Sequence, residues 1–288
     1  MAAAPPPTDP ARTIAFQGAP GAYSHLACRQ VLPELAPLPC DTFEDAFAAV
    51  SEGRAVRAMI PIENSVAGRV ADIHHLLPDS PLYIVGEHFL RVQHCLLAAP
   101  GATLAGVKNV YSHIHALSQC RAFIRRHGFK AHVFADTAGA AAEIARRRDP
   151  ADAAIASSLA AETYGLTILK TDLEDAEHNT TRFVILARES VRPPLAAGPA
   201  ITSFIFRVRN VPAALYKAMG GFATNGVNMV KLESYQVGGS FAATQFYADI
   251  EGHADDPAVM RAFEELGFFT RDFKVLGVYP AHPFRRGG

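Results

Sequence analysis

From Thr13 to Ala187 short apolar runs alternate with amphipathic stretches, and this alternation restricts the fold more than any other feature of the chain. The runs Thr13–Phe16, Ala58–Pro61, Leu82–Val85, Cys95–Ala98, Val110–Ser112, Ala131–Phe134, Ala153–Ala156 and Phe183–Ala187 read as strands. Helical patterns lie between them. One starts at Thr42, whose hydroxyl can cap while Asp45 follows three residues on, with Phe43, Phe47 and Val50 on one face. A second runs from about Ala116 to His127 on the stripe Leu117, Cys120, Phe123 and Ile124. A third follows Asp136-Thr137 through Ile144. Strands that alternate with helices build α/β sheets of parallel strands covered by helices.

Several strands deliver a polar or glycine-rich turn into a helix start: Gly18 to His25, Ser112-His113, Asp136-Thr137 and Ser157-Ser158. In open α/β sheets ligands lie beyond the carboxyl ends of the strands. Helix N-termini there present unpaired N–H groups that suit anions, although capping alone also selects Ser, Thr and Asp at such places. The densest cluster is His178-Asn179-Thr180-Thr181-Arg182, immediately before the apolar run Phe183–Ala187. Buried polar groups need partners, so this cluster is either a wet turn or part of a site.

The pattern changes after Arg192-Pro-Pro-Leu-Ala-Ala-Gly-Pro199, a Pro/Gly/Ala linker. Ile201–Val208 reads as a strand, and Pro212 opens a helix to about Phe222. Strands 229–237 and 241–250 flank Gly238-Gly239-Ser240, a hairpin signal. A helix from Pro257 to Leu266 and a strand Phe273–Tyr279 complete β-α-β-β-α-β, the ferredoxin-like unit.

Bulk properties exclude whole classes of function. A length of 288 residues suits two domains, and a net charge of -1 gives no reason to expect nucleic acid or an anionic membrane surface. No stretch approaches the ~18 apolar residues of a membrane span. The Ala- and Pro-rich start, residues 1–12, reads as a disordered tail without the pattern of a signal peptide. Cys28, Cys40, Cys95 and Cys120 are far apart and read as buried free thiols of a cytoplasmic protein.

Glu63-Asn64-Ser65 groups a carboxylate, an amide and a hydroxyl at a strand's carboxyl end, which is either a capped loop or a substrate site. His113 and His115 lack companions at metal-ligand spacing, and His74-His75 read as a helix surface. Gln119 lies one helical turn after His115 and would point the same way. No Ser/His/Asp order and no GxGxxG loop appears, which speaks against nucleophilic hydrolysis and nucleotide chemistry.

Taken together, six ordered stretches resemble the prephenate dehydratase family. They are Phe16-Gln-Gly-Ala-Pro-Gly-Ala-Tyr-Ser-His25, Pro61-Ile-Glu-Asn-Ser65, His115-Ala-Leu-Ser-Gln-Cys120, Asp136-Thr-Ala-Gly-Ala140, Ala154-Ile-Ala-Ser157 and Asn179-Thr-Thr-Arg-Phe183. The resemblance covers roughly residues 13–280 and continues into a C-terminal module similar to an ACT domain. It implies a two-lobed catalytic domain of the periplasmic-binding-protein-like (type II) fold over 13–190. One lobe would hold residues 13–89 with 168–188 and the other 90–167. A linker at 191–200 and an ACT domain at 201–280 would follow. No chorismate mutase segment is visible, so the resemblance is to a monofunctional member.

The resemblance implies the decarboxylating dehydration of prephenate to phenylpyruvate, in phenylalanine biosynthesis, without metal or organic cofactor. Thr181 falls on the family's essential threonine and would donate a hydrogen bond to the departing oxygen or relay a proton to it. Asn64, Ser65 and Gln119 would be cleft hydrogen-bonders oriented by Glu63. Arg182 has two readings, a bidentate clamp on carboxylate or a support for its loop. Phe183, Ser24, Ser112 and Thr137 complete the expected substrate site. A non-catalytic solute-binding module on the same fold and an arogenate dehydratase are the alternatives.

In the second module, members that sense phenylalanine carry Gly-Ala-Leu and Glu-Ser-Arg-Pro. Here these read Ala213-Ala214-Leu215 and Glu233-Ser234-Tyr235-Gln236. The resemblance implies an L-phenylalanine site with Ala214, Leu215, Asn228, Glu233 and Ser234 at a contact between two ACT domains, and therefore at least a homodimer.

Overall fold

A computed structural model of the chain describes residues 9–176, 178–236 and 243–286. The chain divides into two compact units, Met1–Val70 with Phe89–Phe183, and Ala71–His88 with Val184–Gly288.

Chain order through the first half is β1 (Thr13–Gln17), α1 (Tyr23–Val31), β2 (Ala36–Cys40), α2 (Phe43–Ser51), β3 (Arg57–Asn64), β4 (Gly68–Arg69), α3 (Ala71–Leu76) and β5 (Tyr83–Arg91). Then follow β6 (Cys95–Ala98), β7 (Asn109–Ser112), α4 (Ile114–Gln119), α5 (Arg121–His127), β8 (Lys130–Val133), α6 (Thr137–Arg147), β9 (Asp152–Ala156), α7 (Ser158–Tyr164), β10 (Thr167–Lys170) and β11 (Thr180–Ala187). The strands form two sheets, ordered β2-β1-β3-β11-β5 and β10-β6-β9-β7-β8. Within the first unit these give two α/β lobes.

Every expected strand of this half is present, and β2, β4 and β10 are additional. Strand β2 carries Pro37 and Pro39, which argue against a strand in the sequence. They are accommodated because β2 sits at the sheet edge, pairing only with β1 in parallel. Strand β10 pairs antiparallel with β6, so residues 168–170 belong to the second sheet rather than to the first lobe as expected. The expected 116–127 helix is two helices broken at Cys120, whose backbone leaves the helical region at φ -112, ψ 24. Its apolar stripe still enters one core with Leu96, Val110 and Ile155. Thr42 and Asp45 form the expected capping box on α2. Residues 10–12, expected in a disordered tail, form a 3-10 turn capped by the Asp9 side chain.

The second unit continues with β12 (Ala200–Val208), α8 (Ala214–Thr224), β13 (Met229–Gln236), β14 (Ala243–Glu251), α9 (Pro257–Phe269) and β15 (Thr270–Pro280). The sheet order is β13-β14-β12-β15, with antiparallel pairs, which is the split βαββαβ arrangement. The helices bury Phe222, Phe263 and Leu266 against Phe204, Phe206 and Phe246 of the sheet. The Gly238-Gly239-Ser240 turn lies outside the described residues.

Residues 71–88 and 184–190 group with this C-terminal element, whereas the sequence places the division at 191–200. The reason is a set of close contacts. Gly277 passes so near Ile84 that a Cβ on it would collide with the Ile84 carbonyl oxygen. Lys274 Nζ donates to the carbonyls of Pro78 and Ser80, and Arg285 grips the buried Glu87 carboxylate with two hydrogen bonds. His74, expected on a helix surface, is buried at 2% exposure and hydrogen-bonded through Nδ1 to Tyr235. His75 is exposed.

Candidate active site

Strand β3 ends at Asn64, and β11, its neighbour in the first sheet, begins at Thr180. Ser65 ties the two entrances together. Its N–H donates to the Thr180 carbonyl, its hydroxyl donates to the His178 carbonyl at 2.6 Å, and it accepts from Thr180 N–H. Ser65 is exposed, and its hydroxyl is committed to backbone rather than turned to a ligand.

Successive strand residues face opposite sides of a sheet, and this divides the polar cluster. On one side Asn64 Nδ2 donates to Thr181 Oγ1 at 2.9 Å and to Asn179 Oδ1 at 2.8 Å. On the other, Arg182 Nη1 donates to Glu63 Oε1 at 2.9 Å, with the Arg182 side chain 3% exposed and that of Glu63 30%. Glu63 thus partners Arg182. Of the two readings of Arg182, the geometry favours loop support over a carboxylate clamp.

Beyond Asn179 the hydrogen bonds continue into the second lobe. Asn179 Nδ2 donates to Gln119 Oε1 at 3.0 Å, and the same oxygen lies 2.9 Å from His94 Nε2. His94 Nδ1 in turn meets the Tyr23 hydroxyl at 2.8 Å, which also reaches the Gln93 carbonyl. Burial lowers the His94 pKa below the ordinary histidine value and holds the Tyr23 phenol well above its own, so a neutral ring faces a protonated hydroxyl. The structure thus joins three expected residues, Thr181, Asn64 and Gln119, through Asn179, and adds His94 and Tyr23. The sequence signal for His94 was slight: a lone imidazole just before the apolar run Cys95–Ala98.

The remaining expected substrate residues sit elsewhere. Phe183 is core, at 1% exposure. The Ser112 hydroxyl is buried and donates to the Ile155 carbonyl, holding β7 to β9. Ser24 is buried in the first turn of α1, and Thr137 opens α6. At three of the helix starts read as anion sites, side chains already serve the first turn, His113 Nδ1 accepting from His115 N–H. Asp136 accepts from Gly139 N–H and Ser157 from Ala160 N–H. Ser157 also donates to the Gly21 carbonyl, and Gly21, at φ +89, approaches Ala160 so closely that a Cβ would lie 2.8 Å from its Cα. These glycine-rich residues therefore pack lobe on lobe.

The four cysteines are buried and free, and burial raises their thiol pKa values, that of Cys95 to about 11 and that of Cys28 to about 12. Such thiols are poor nucleophiles at neutral pH. Among the described residues no group of His, Cys, Asp and Glu is arranged to hold a metal ion. Among them, too, no helix is long and apolar enough to cross a membrane.

The model of the prephenate dehydratase family matches residues 14–191. The chain belongs to the prephenate dehydratase family. A relative within it, the bifunctional N-acyl-homoserine lactone acylase/prephenate dehydratase of Komagataeibacter europaeus, is 54% identical over 96% of this chain and 98% of that protein. Arogenate dehydratase/prephenate dehydratase 2 of Arabidopsis thaliana is 37% identical over 93% of this chain and 72% of that protein. Among solved structures, prephenate dehydratase from Arthrobacter aurescens in complex with L-Phe is 30% identical, with a TM-score of 0.86. That likeness spans 93% of this chain and 90% of the other, so the family fold extends through the βαββαβ unit.

Proposed function

We propose that this enzyme converts prephenate to phenylpyruvate, CO2 and water, with Thr181 at the departing oxygen. The observation that carries this reading is the Asn64–Thr181 hydrogen bond. The Asn64 amide nitrogen can only donate, so Thr181 Oγ1 accepts there and its own proton remains to donate. As CO2 leaves, the bonding pair of the ring carboxylate moves into the ring and the C4–O bond breaks. The departing oxygen takes a proton and leaves as water, and the ring becomes aromatic. A hydrogen bond from Thr181 that strengthens as charge builds on that oxygen lowers the barrier selectively. Gln119, from the second lobe, and Asn179, from the first, hold Asn64 in place.

The test is phenylpyruvate release from prephenate, with arogenate assayed in parallel. Thr181→Val keeps the shape and removes the proton, and turnover should fall by about 10²–10³-fold or more. Normal turnover in that variant would remove Thr181 from this role.

The C-terminal unit is read as an ACT-type module. Its βαββαβ order supports this, as does the phenylalanine complex of the Arthrobacter relative. Strand β13, at the sheet edge, carries Glu233 and Ser234, with Asn228 just before it, and Ala214 and Leu215 open α8. An open edge strand is a template for pairing with a second copy, which would place L-phenylalanine between two protomers. Equilibrium binding of phenylalanine and sedimentation with and without it test this. A second activity, hydrolysis of the amide of an N-acyl-homoserine lactone, is favoured by the 54% identity to the Komagataeibacter protein across nearly both chains. Incubation with such a lactone, scored for free homoserine lactone and fatty acid, decides it.

A further inference from the structure

The hydrogen bonds around Thr181 have a direction that can be derived one bond at a time. Asn64 Oδ1 accepts from two backbone N–H groups, Val66 at 3.0 Å and Ala67 at 2.8 Å. Backbone N–H groups cannot accept, so the orientation of the Asn64 amide is determined and its Nδ2 faces Asn179 and Thr181. Asn179 must then turn Oδ1 toward Asn64 and Nδ2 toward Gln119. Gln119 therefore presents Oε1 to both Asn179 and His94. His94, neutral in its buried place, must carry its proton on Nε2 and leave Nδ1 to accept from Tyr23. Each amide thus has one orientation that suits its partners, and Asn179 and His94 are buried at 1% and 2% exposure, where an unmade hydrogen bond is costly.

We propose that His94 is a positioning residue for the dehydratase reaction, acting through Gln119, Asn179 and Asn64 to hold the Thr181 hydroxyl in place. This role rests on the function proposed above. Without the His94 donor, Gln119 Oε1 keeps only its bond from Asn179, and the Gln119 side chain is free to shift. Asn179 then loses a fixed partner, and the Asn64 amide that it supports places Thr181 less sharply. His94 touches no substrate in this scheme, and Tyr23 serves either tautomer because its proton can go to the Gln93 carbonyl instead.

Nitrogen-15 NMR of the histidine-labelled full chain reads the chain of bonds directly. In the resting protein His94 should show a protonated Nε2 and a bare Nδ1. Asn179→Asp, which can no longer donate to Gln119, should turn the Gln119 amide over and bring a proton to Nδ1. Kinetics supply the second arm. His94→Leu should lower kcat by about 10- to 100-fold with a much smaller change in KM, the size expected for a misplaced catalytic group. His94→Gln, whose amide can donate from near the Nε2 position, should recover most of that loss. A bare Nε2 in the resting protein overturns the proposal. So does a His94→Gln variant as slow as His94→Leu. If His94→Leu does not fold, the resting tautomer and the Asn179→Asp response still decide. Wild-type protein that releases no phenylpyruvate removes the dehydratase reading and this role with it, while the tautomer still reports whether the bonds run as derived.

Discussion

Asn64 and Thr181 lie 117 residues apart in sequence and are joined by one hydrogen bond of 2.9 Å, in which the amide donates and the hydroxyl accepts. Because two backbone N–H groups hold the Asn64 oxygen, that bond cannot reverse. Thr181 keeps its proton for a partner outside the chain of protein groups, as the proposed chemistry requires.

Asn64→Asp tests the direction of this bond. The replacement still accepts from Val66 and Ala67, but it turns an acceptor toward Thr181 and captures the hydroxyl proton. Turnover should fall by about 10²-fold, comparable to loss of one donor at a developing charge. The urea midpoint should also fall, because the replacement no longer donates to the buried Asn179 oxygen. An unchanged kcat would show that the Thr181 proton is not what the reaction uses.

Arg182 separates support from substrate binding. Arg182→Met leaves Glu63 facing an apolar side chain in place of a guanidinium, and should cost about 2–3 kcal/mol of stability, below the full cost of breaking a wholly buried pair because Glu63 is partly exposed. KM for prephenate should stay within about threefold, since no uniform binding is lost. A large KM rise at unchanged stability would restore the carboxylate clamp.

Ala213 occupies the left-handed region, φ 61 and ψ 14, at the N-cap of α8. Glycine adopts that conformation without the Cβ penalty. Ala213→Gly should therefore raise stability by up to about 1 kcal/mol, the relief of strain being partly offset by the greater freedom of glycine in the unfolded chain. Denaturant unfolding of the two proteins provides the comparison, and a lower midpoint in the variant would contradict it.

Four histidines, His25, His88, His94 and His113, have pKa values lowered chiefly by burial. The unfolded chain takes up protons near the ordinary value of about 6.5, which the folded chain refuses. Their effect is absent well above that pH, and stability falls as pH drops through it. Urea midpoints should therefore decline between about pH 7.5 and 5.5, with a shallower decline in His94→Gln. A flat profile over that interval would mean these rings are free to protonate in the folded protein.

Residue periodicity by itself determined the alternating α/β region, the capping box at Thr42 and Asp45, and the βαββαβ order, because each depends on near neighbours in the chain. Edge position was not legible, so β2, with its two prolines, needed the sheet to become a strand. The motifs located Asn64, Gln119 and Thr181 but not the partition of their neighbours. Only tertiary structure decided that Thr181 and Asn64 share one face while Arg182 and Glu63 share the other. Only it showed Ser112 and Ser65 committed to backbone carbonyls, and His94 and Tyr23 drawn into the bonds that reach Thr181. The physical reason is that a polar side chain's role depends on which partner satisfies it once water is excluded, and those partners come from strands and lobes distant in sequence.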